Sequence, residues 1–160
     1  VPILRQKIVL ISKSGSGVPV GPVKFTEVLK LGLVLDSGRR VISKLVTKAS
    51  HSLGLKPKIK FEIDSLSTSI QLILNEDVYG VGSQAVFQES INQGTLVAHP
   101  IIEPSLEMTA YFVTRLKDPV SERDLPILKF LDELICTYCK ENPDEWIQLV
   151  RIADSCLDHK

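Results

Sequence analysis

The segment Ile59–Asn75 changes its apolar spacing from that of a strand to that of a helix. In the first part, apolar residues alternate with charged ones, which is typical of a β-strand: Ile59, Phe61, Ile63. In the second part, the spacing fits one face of a helix: Leu66, Ile70, Ile73, Leu74. Asp64 and Ser65 lie between the two patterns, and both residue types are good helix N-caps. The segment predicts a strand that leads directly into a capped helix.

The same two patterns alternate along the rest of the chain. Strands are predicted over 7–11, 32–35, 78–82, 95–102 and 106–113. Helices are predicted over 24–30, 39–53 and 83–92, from Ser121 or Asp124 to 139, and from 144 to about 152. Pro126 favours the later of the two starts, because proline is tolerated in the first turn of a helix. Since strands and helices alternate from end to end, we expect an open α/β sheet flanked by helices.

Apolar stripes on two of these helices predict the faces that pack against the sheet. The helix over 39–53 opens after Asp36-Ser37-Gly38 and has this stripe: Val41, Leu45, Ala49, Leu53. The helix that ends near 139 has another: Leu128, Leu131, Ile135, Tyr138. A terminal helix would use Trp146, Leu149 and Ile152 in the same way.

The charge balance limits the classes of function open to the chain. Among 160 residues, 19 are Lys or Arg and 19 are Asp or Glu, so the formal net charge is zero. A domain that binds nucleic acid by bulk charge is basic, and this composition argues against that role. No apolar run has the length of a membrane span, so we expect no membrane partner.

The residues capable of catalysis do not form a recognisable active site. Cys136 and Cys139 form a single C-x-x-C pair near a helix end, which is weak as a zinc site and disfavours a reactive thiolate. No Ser/His/Asp order or nucleophile elbow is present. The glycine-rich loop 12–22 lacks the Gly-Lys-Ser/Thr ending of a phosphate-binding loop. We expect no enzyme, no metal site and no cofactor.

Three cysteines, the third being Cys156, are too few and too close to the C-terminus for a disulfide framework. A reducing cytoplasm is therefore the expected location.

The junction at Asp64 and Ser65 has two interpretations. A helix N-terminus offers backbone N–H donors, and short polar side chains there can bind an anionic or polar ligand. An ordinary capped helix of an α/β sheet needs the same residues. On the residues alone, the structural interpretation is favoured over the ligand site.

The order of several segments resembles the effector-binding domain of LysR-type transcriptional regulators. The segments are GLVLDSGRR before one helix, GLKPKIKFEIDS before the next, a glycine-bearing strand, and then GTLV with PIIEP. The final SERDLPILKFLDELI resembles the closing helix of that family. Within the family, the chain is most similar to the nitrogen assimilation control group. One departure is Asp77-Val78-Tyr79-Gly80, where the family has a Gly-x-Gly pair.

The resemblance implies a type II periplasmic-binding-protein-like fold, in which crossing strands join two α/β lobes. Residues 1–13 would be the end of the first lobe and a crossing strand, and 14–98 the second, regulatory lobe. Residues 99–160 would hold the return crossing, a first-lobe strand and the C-terminal helices. The first lobe would be incomplete, and the family's N-terminal helix-turn-helix is not in this sequence, so the resemblance implies a truncated fragment.

The resemblance also implies a function and a site. A small-molecule effector would bind between the lobes and control transcription, in a homo-oligomer that contacts DNA only through the absent N-terminal domain. Carried over by position, effector contacts would come from Asp64, Ser65 and Ser67 at one helix start. Further contacts would come from Ser12 or Ser14 on the first crossing strand and from Ser37 at another strand-to-helix junction. Arg39 at that junction is equally compatible with a solvated helix residue.

Two other functions stay open beside regulation. The same fold serves solute-binding proteins of transport systems, which a secretory leader would distinguish from a regulator. A thiol redox enzyme using Cys136 and Cys139 is the less favoured alternative.

Overall fold

A computed structural model of the chain describes residues 2–38, 40–111, 113, 123–141 and 147–149. The strands are β1 (Pro2–Lys13), β2 (Val23–Lys24), β3 (Leu33–Leu35), β4 (Ile59–Glu62), β5 (Tyr79–Ser83), β6 (Leu96–Ile102), β7 (Glu107–Tyr111) and β8 (Ile147–Leu149). The helices are α1 (Phe25–Val28), α2 (Val41–Ser52), α3 (Leu66–Asn75), α4 (Gln84–Asn92) and α5 (Leu125–Glu141). The chain divides into a larger unit, Lys7–Glu107, and a smaller unit, Val1–Gln6 with Met108–Lys160.

The larger unit is a mixed sheet in the order β2-β6-β1-β5-β3-β4. Its centre is the apolar run of β1, where Ile8–Ile11 are almost completely buried. A strand that is buried on both faces reads as a continuous apolar run, and the KIVLI run predicted this strand correctly. The alternation of strands and helices also predicted the α/β class correctly.

The strand directions divide the ends of the sheet into two edges. β3 is parallel to both β4 and β5, so the carboxyl ends of these three strands meet at one edge. β1 is antiparallel to β5, with Ile8 opposite Ser83 and Ile11 opposite Gly80. The carboxyl end of β1 therefore lies at the other end of the sheet. We call the end of the sheet that holds the carboxyl ends of β3, β4 and β5 the carboxyl edge, and the other end the opposite edge. Neither term refers to an edge strand.

The buried face of α2 differs from the predicted stripe. Its fully buried residues are Ser43, Val46 and Ser50, whereas Val41 and Leu53 are exposed to 53% and 43%. The serine hydroxyls can be buried because each has a partner: Ser43 Oγ donates to the Asp36 carbonyl at 2.6 Å, and Ser50 Oγ donates to a helix carbonyl. The prediction was wrong at Val41 and Leu53, because it assigned the packed face by side-chain hydrophobicity alone, whereas Leu45 and Ala49 are half-buried.

The segment Ile59–Asn75 forms the predicted strand and capped helix. β4 is an edge strand, so Ile59 and Phe61 are exposed although their alternation is that of a strand. On α3 only Ile73 of the predicted stripe is fully buried, and Leu66 is exposed. The exposure on β4 follows from its position as the edge strand of the sheet.

In the smaller unit, α5 starts at Leu125, which confirms the later of the two predicted starts. None of its residues is buried, and Leu131 and Tyr138 of the predicted stripe are exposed. Ile147–Leu149 form strand β8, so the helix predicted from 144 is wrong at these three residues. Backbone pairing of β8 with Leu4–Gln6 of β1 outweighs the helical spacing there. Residues 144–146 and 152 lie outside the described residues.

Gly80 of β5 is required by its contact with α3. A Cβ atom at this position would lie 2.8 Å from Cδ1 of Ile73 and 3.4 Å from Cβ of Ile11. We expect Gly80→Ala to lower the free energy of unfolding by about 1–3 kcal/mol, as overpacking does. Ile73→Val removes the clashing methyl and by itself costs about 0.5–1.5 kcal/mol. The double variant should lose less stability than the sum of the losses measured in the two single variants.

Urea denaturation of the single and double variants measures this coupling. Gly38→Ala is the matched control, because a Cβ there meets nothing within 4 Å. Strictly additive costs for Gly80→Ala and Ile73→Val would contradict the contact.

Candidate functional site

Two strand-to-helix junctions meet at the carboxyl edge through Asp64. Its Oδ1 accepts a hydrogen bond from the Ser37 backbone N–H at 2.9 Å, which links the junction after β4 to the junction after β3. The Arg40 Nε lies 3.2 Å from the same oxygen. Asp64 is exposed. Its Oδ1 therefore joins the two junctions, and the carboxylate remains accessible from solvent.

A cluster of hydroxyls begins α3 beside this carboxylate. Ser65 is the N-cap, and its Oγ accepts from the Thr68 backbone N–H at 3.4 Å and from Thr68 Oγ1 at 3.0 Å. Ser67 Oγ lies 3.1 Å from Ser65 Oγ. These three residues are exposed. The carboxyl edge thus presents an anionic acceptor, hydroxyl groups that can donate or accept, and a helix N-terminus.

The electrostatics of Asp64 follow from its partners. The hydrogen bond from Ser37 lowers the pKa of the Asp64 carboxyl, and the nearby Arg40 charge lowers it further, while partial desolvation acts in the other direction. The carboxyl is consequently ionised at neutral pH and can accept hydrogen bonds from a ligand.

Ser12 and Ser14 lie away from this cluster, at the opposite edge. Ser12 is only 1% exposed, and its Oγ lies 2.8 Å from Nε2 of His99 on the adjacent strand β6. Ser14 is exposed, and its backbone N–H donates to the Thr95 carbonyl. Of the six residues named from the sequence, the structure brings together Ser37, Asp64, Ser65 and Ser67, and it does not bring Ser12 or Ser14 to them.

The sequence reasoning did not assign two residues of the cluster to the site, Arg40 and Thr68. Arg40 follows Arg39 in the GRR tripeptide, so the available signal was a second cation at the same junction. Thr68 could have been found from the N-cap rule, which pairs an N-cap hydroxyl with the backbone N–H three residues later.

The residues considered for redox or metal chemistry form no such site where the structure describes them. In those parts of the chain, no group of three or more His, Cys, Asp or Glu residues could hold a metal ion. Cys136 and Cys139 are half-buried on α5. Burial raises the pKa of the Cys139 thiol, and the neighbouring Cys136 adds to that effect. A reactive thiolate needs the opposite shift. No helix among the described residues is long and apolar enough to cross a membrane.

Known structures share the fold of this chain at low sequence identity. The regulatory domain of MetR, a LysR family regulator from N. meningitidis, matches with a TM-score of 0.69 and 13% identity over 94% of this chain and 68% of that chain. HinK, a LysR family regulator from Pseudomonas aeruginosa, matches with a TM-score of 0.61 and 15% identity over 81% of this chain and 45% of that one. Full-length CbnR in complex with its target DNA matches with a TM-score of 0.56 and 17% identity, over 68% of this chain and 39% of that chain.

These neighbours show that the chain is a mixed α/β domain with the type II periplasmic-binding-protein-like fold. Residues 1–135 match the family model described as the LysR substrate binding domain. The chain belongs to this family. It spans less than half the length of HinK and of CbnR. No curated protein matches it in sequence.

The pKa of Asp64 generates a prediction about acid stability. Because the folded-state pKa of this carboxyl is lowered, its contribution to stability is complete above the unfolded value of about 3.9 and is lost as pH falls below it. Asp64→Asn should therefore be less stable than the natural chain at pH 7, and the difference should shrink as the pH falls below about 3.9. Thermal melts across this range measure it. Glu62→Gln, which removes an exposed carboxylate from the end of β4, is the control. Parallel pH profiles for Asp64→Asn and the natural chain would contradict the interaction.

The buried His99 predicts a second, separate pH dependence. Burial lowers the pKa of His99, and the backbone of Pro19 and of Gly21 acts against that effect. The unfolded chain then takes up the proton first, so stability should fall as pH drops below about 6.5. His99→Asn should flatten this slope, whereas His51→Gln, at an exposed histidine, should leave it unchanged.

Ser12→Ala tests the contact between Ser12 and His99 without changing the charge of the chain. It removes the partner of the buried Nε2, and we expect a cost of about 1–3 kcal/mol for the unpaired group. Urea denaturation at pH 8 measures this cost. A neutral effect of Ser12→Ala would show that the hydrogen bond contributes nothing to stability.

Proposed function

We propose that this chain is the effector-sensing part of a LysR-type transcriptional regulator, in which a small polar metabolite binds at the carboxyl edge of the larger unit. The family match over residues 1–135 carries the assignment. It favours regulation over a solute-binding role in transport and over thiol chemistry. In open α/β sheets, ligands bind outside the carboxyl ends of the strands, and this edge is where Asp64 joins the two junctions.

The groups at this edge limit the chemistry of the effector. Asp64 offers a carboxylate oxygen, so a bound molecule would place a hydrogen-bond donor such as an ammonium or amide group there. Ser65 and Ser67 offer hydroxyls at the start of α3, where N–H groups favour an oxygen acceptor. The arrangement suits a metabolite that carries a donor and an acceptor a few atoms apart. Ser37 contributes through its backbone N–H, which positions Asp64.

We assign no direct effector contact to Ser12 or Ser14. Ser12 is buried against His99, and both residues lie at the opposite edge from Asp64. If the site at the carboxyl edge is correct, these two residues act on the stability of the sheet rather than on the ligand.

The finer parts of the proposal rest on the resemblance in sequence. The GLVLDSGRR and FEIDS segments support placement in the nitrogen assimilation control group. The regulatory lobe would span residues 14–98, with crossing strands on either side. The whole regulator would be a cytoplasmic homo-oligomer that binds DNA through a separate N-terminal domain. The structural neighbour CbnR is described in complex with target DNA, which supports DNA binding by the whole regulator that would contain this chain.

Thermal-shift screening of amino acids and sugar phosphates, followed by isothermal titration, tests the site. Each hydroxyl that binds the effector should contribute about 0.5–1.5 kcal/mol, so Ser65→Ala or Ser67→Ala should weaken binding about 2–10-fold. Asp64→Ala removes a charged acceptor worth about 1.5–3 kcal/mol and should weaken it at least 10-fold.

Ser52→Ala is the matched control for the two serine variants. Ser52 is an exposed helix serine at the far end of α2, and its hydroxyl donates to the Ala49 carbonyl. Thermal melts of each variant separate lost binding from lost folding, since Ser65→Ala also removes a helix cap worth about 1 kcal/mol. Equal affinity in Asp64→Ala, Ser65→Ala and the natural chain would exclude this edge as the effector site.

A further inference from the structure

A cavity of about 550 Å³ lies in the larger unit, beside the loop that follows β1. Its walls are residues 16–19 of the loop, residues 22–24 at β2, α1 with the residues that follow it, and Tyr79 of β5. We call it the loop cavity. Tyr79 precedes Gly80, which pairs with Ile11 near the carboxyl end of β1, so the cavity lies at the opposite edge of the sheet. Its volume falls within the range of about 300–1,000 Å³ that is typical of small-molecule sites.

The interior of the loop cavity is mainly apolar. Pro19 and Pro22 of the loop and Leu31 after α1 contribute aliphatic surface, and the half-buried ring of Tyr79 contributes an aromatic one. Aromatic rings pack against other rings in specific offset or edge-to-face geometries. This interior therefore suits an apolar or aromatic group of a ligand.

Charged groups of both signs line the same cavity. Lys30 Nζ lies 2.7 Å from Glu27 Oε1, and Lys24 Nζ lies 2.6 Å from Glu103 Oε2. The hydrogen bond to Glu103 raises the pKa of the Lys24 ammonium, and the charge of Glu27 acts in the same direction, so Glu27 is within electrostatic reach of both lysines. The side chains of both pairs are more than half exposed. Exposed ion pairs contribute little to stability, so these groups can exchange their partners for those of a ligand at small cost.

A buried polar atom without a partner lies behind the loop. His99 is 1% exposed, its Nε2 lies 2.8 Å from Ser12 Oγ, and its Nδ1 has no hydrogen-bond partner in the part of the chain that the structure describes. Burial lowers the pKa of His99, and the loop backbone at Pro19 and Gly21 lies close enough to oppose that effect without a hydrogen bond to Nδ1. Buried polar groups nearly always have partners. A small shift of the loop, as a bound molecule packs against it, can provide one here.

We propose that the loop cavity binds an α-amino acid with an apolar or aromatic side chain. The Glu27 carboxylate accepts from the α-ammonium group, Lys24 and Lys30 bind the α-carboxylate, and the side chain packs against Tyr79 and the loop prolines. A zwitterion matches this arrangement because it carries both charges a few atoms apart. A simple anion would meet the Glu27 carboxylate, and a simple cation would meet the two ammonium groups. The proposal is independent of the effector site at Asp64, which lies at the carboxyl edge.

Isothermal titration of the 160-residue chain with L-phenylalanine, phenylpropionate and phenethylamine tests the ligand class. Phenylpropionate keeps the ring and the carboxylate but lacks the ammonium group, whereas phenethylamine keeps the ring and the ammonium group but lacks the carboxylate. Each analogue should bind about 3–10-fold more weakly than L-phenylalanine. Hydrogen bonds to charged groups contribute more to binding than neutral ones, and solvent screens these exposed groups in part.

Substitutions at the charged groups test the location. Glu27→Gln and Lys30→Gln should each weaken binding of L-phenylalanine about 3–10-fold. Glu89→Gln on α4 and Lys129→Gln on α5 are the matched controls, because each removes one exposed charge outside the cavity. Tyr79→Leu removes the ring but keeps an apolar side chain, and it should reduce the preference for L-phenylalanine over L-leucine. Thermal melts of each variant verify folding.

Weaker binding that is confined to the cavity variants is the expected result. The absence of binding of both amino acids at millimolar concentration would overturn the proposal, and so would equal binding of L-phenylalanine and either analogue. Loss of binding in Asp64→Ala, with unchanged affinity in Glu27→Gln and Lys30→Gln, would place the amino acid at the carboxyl edge and exclude the loop cavity as its site. A failure of the loop cavity leaves the effector site at Asp64 to its own titrations, and the reverse also holds.

Discussion

The central strand β1 determines how the rest of the larger unit is arranged. Its run Ile8–Ile11 is buried and hydrogen-bonds to β5 on one side and β6 on the other, antiparallel in both cases. Because β3 and β4 follow the direction of β5, the orientation of β1 separates its own carboxyl end from theirs. Residues placed after β1 therefore cannot join residues placed after β3 and β4. This constraint divides the hydroxyl residues that looked equivalent in sequence into two groups with different physical roles.

The elements of the fold were predictable because each has a local cause. The KIVLI run, the switch of period at Asp64–Ser65 and the glycine at position 54, which ends α2 with a φ of +66°, are all visible in short windows of sequence. The packed faces were less predictable. On α2, the buried Ser43 is held by the Asp36 carboxylate, which accepts from the Ser43 N–H at 2.9 Å. This bond joins the helix to a residue seven positions earlier, outside the helix, so no periodicity reveals it.

The candidate site shows the same limit. The local pattern identified Asp64 and Ser65 as the start of a helix, and the structure places both there. It could not reveal that Asp64 holds the Ser37 N–H and the Arg40 guanidinium, because parallel pairing of β3 with β4 brings these residues together across 27 and 24 positions of the chain. The error at 147–149 has a related origin, since pairing with β1 replaces a helix that the local sequence favours. Contacts distant in sequence decided each case in which local reasoning failed.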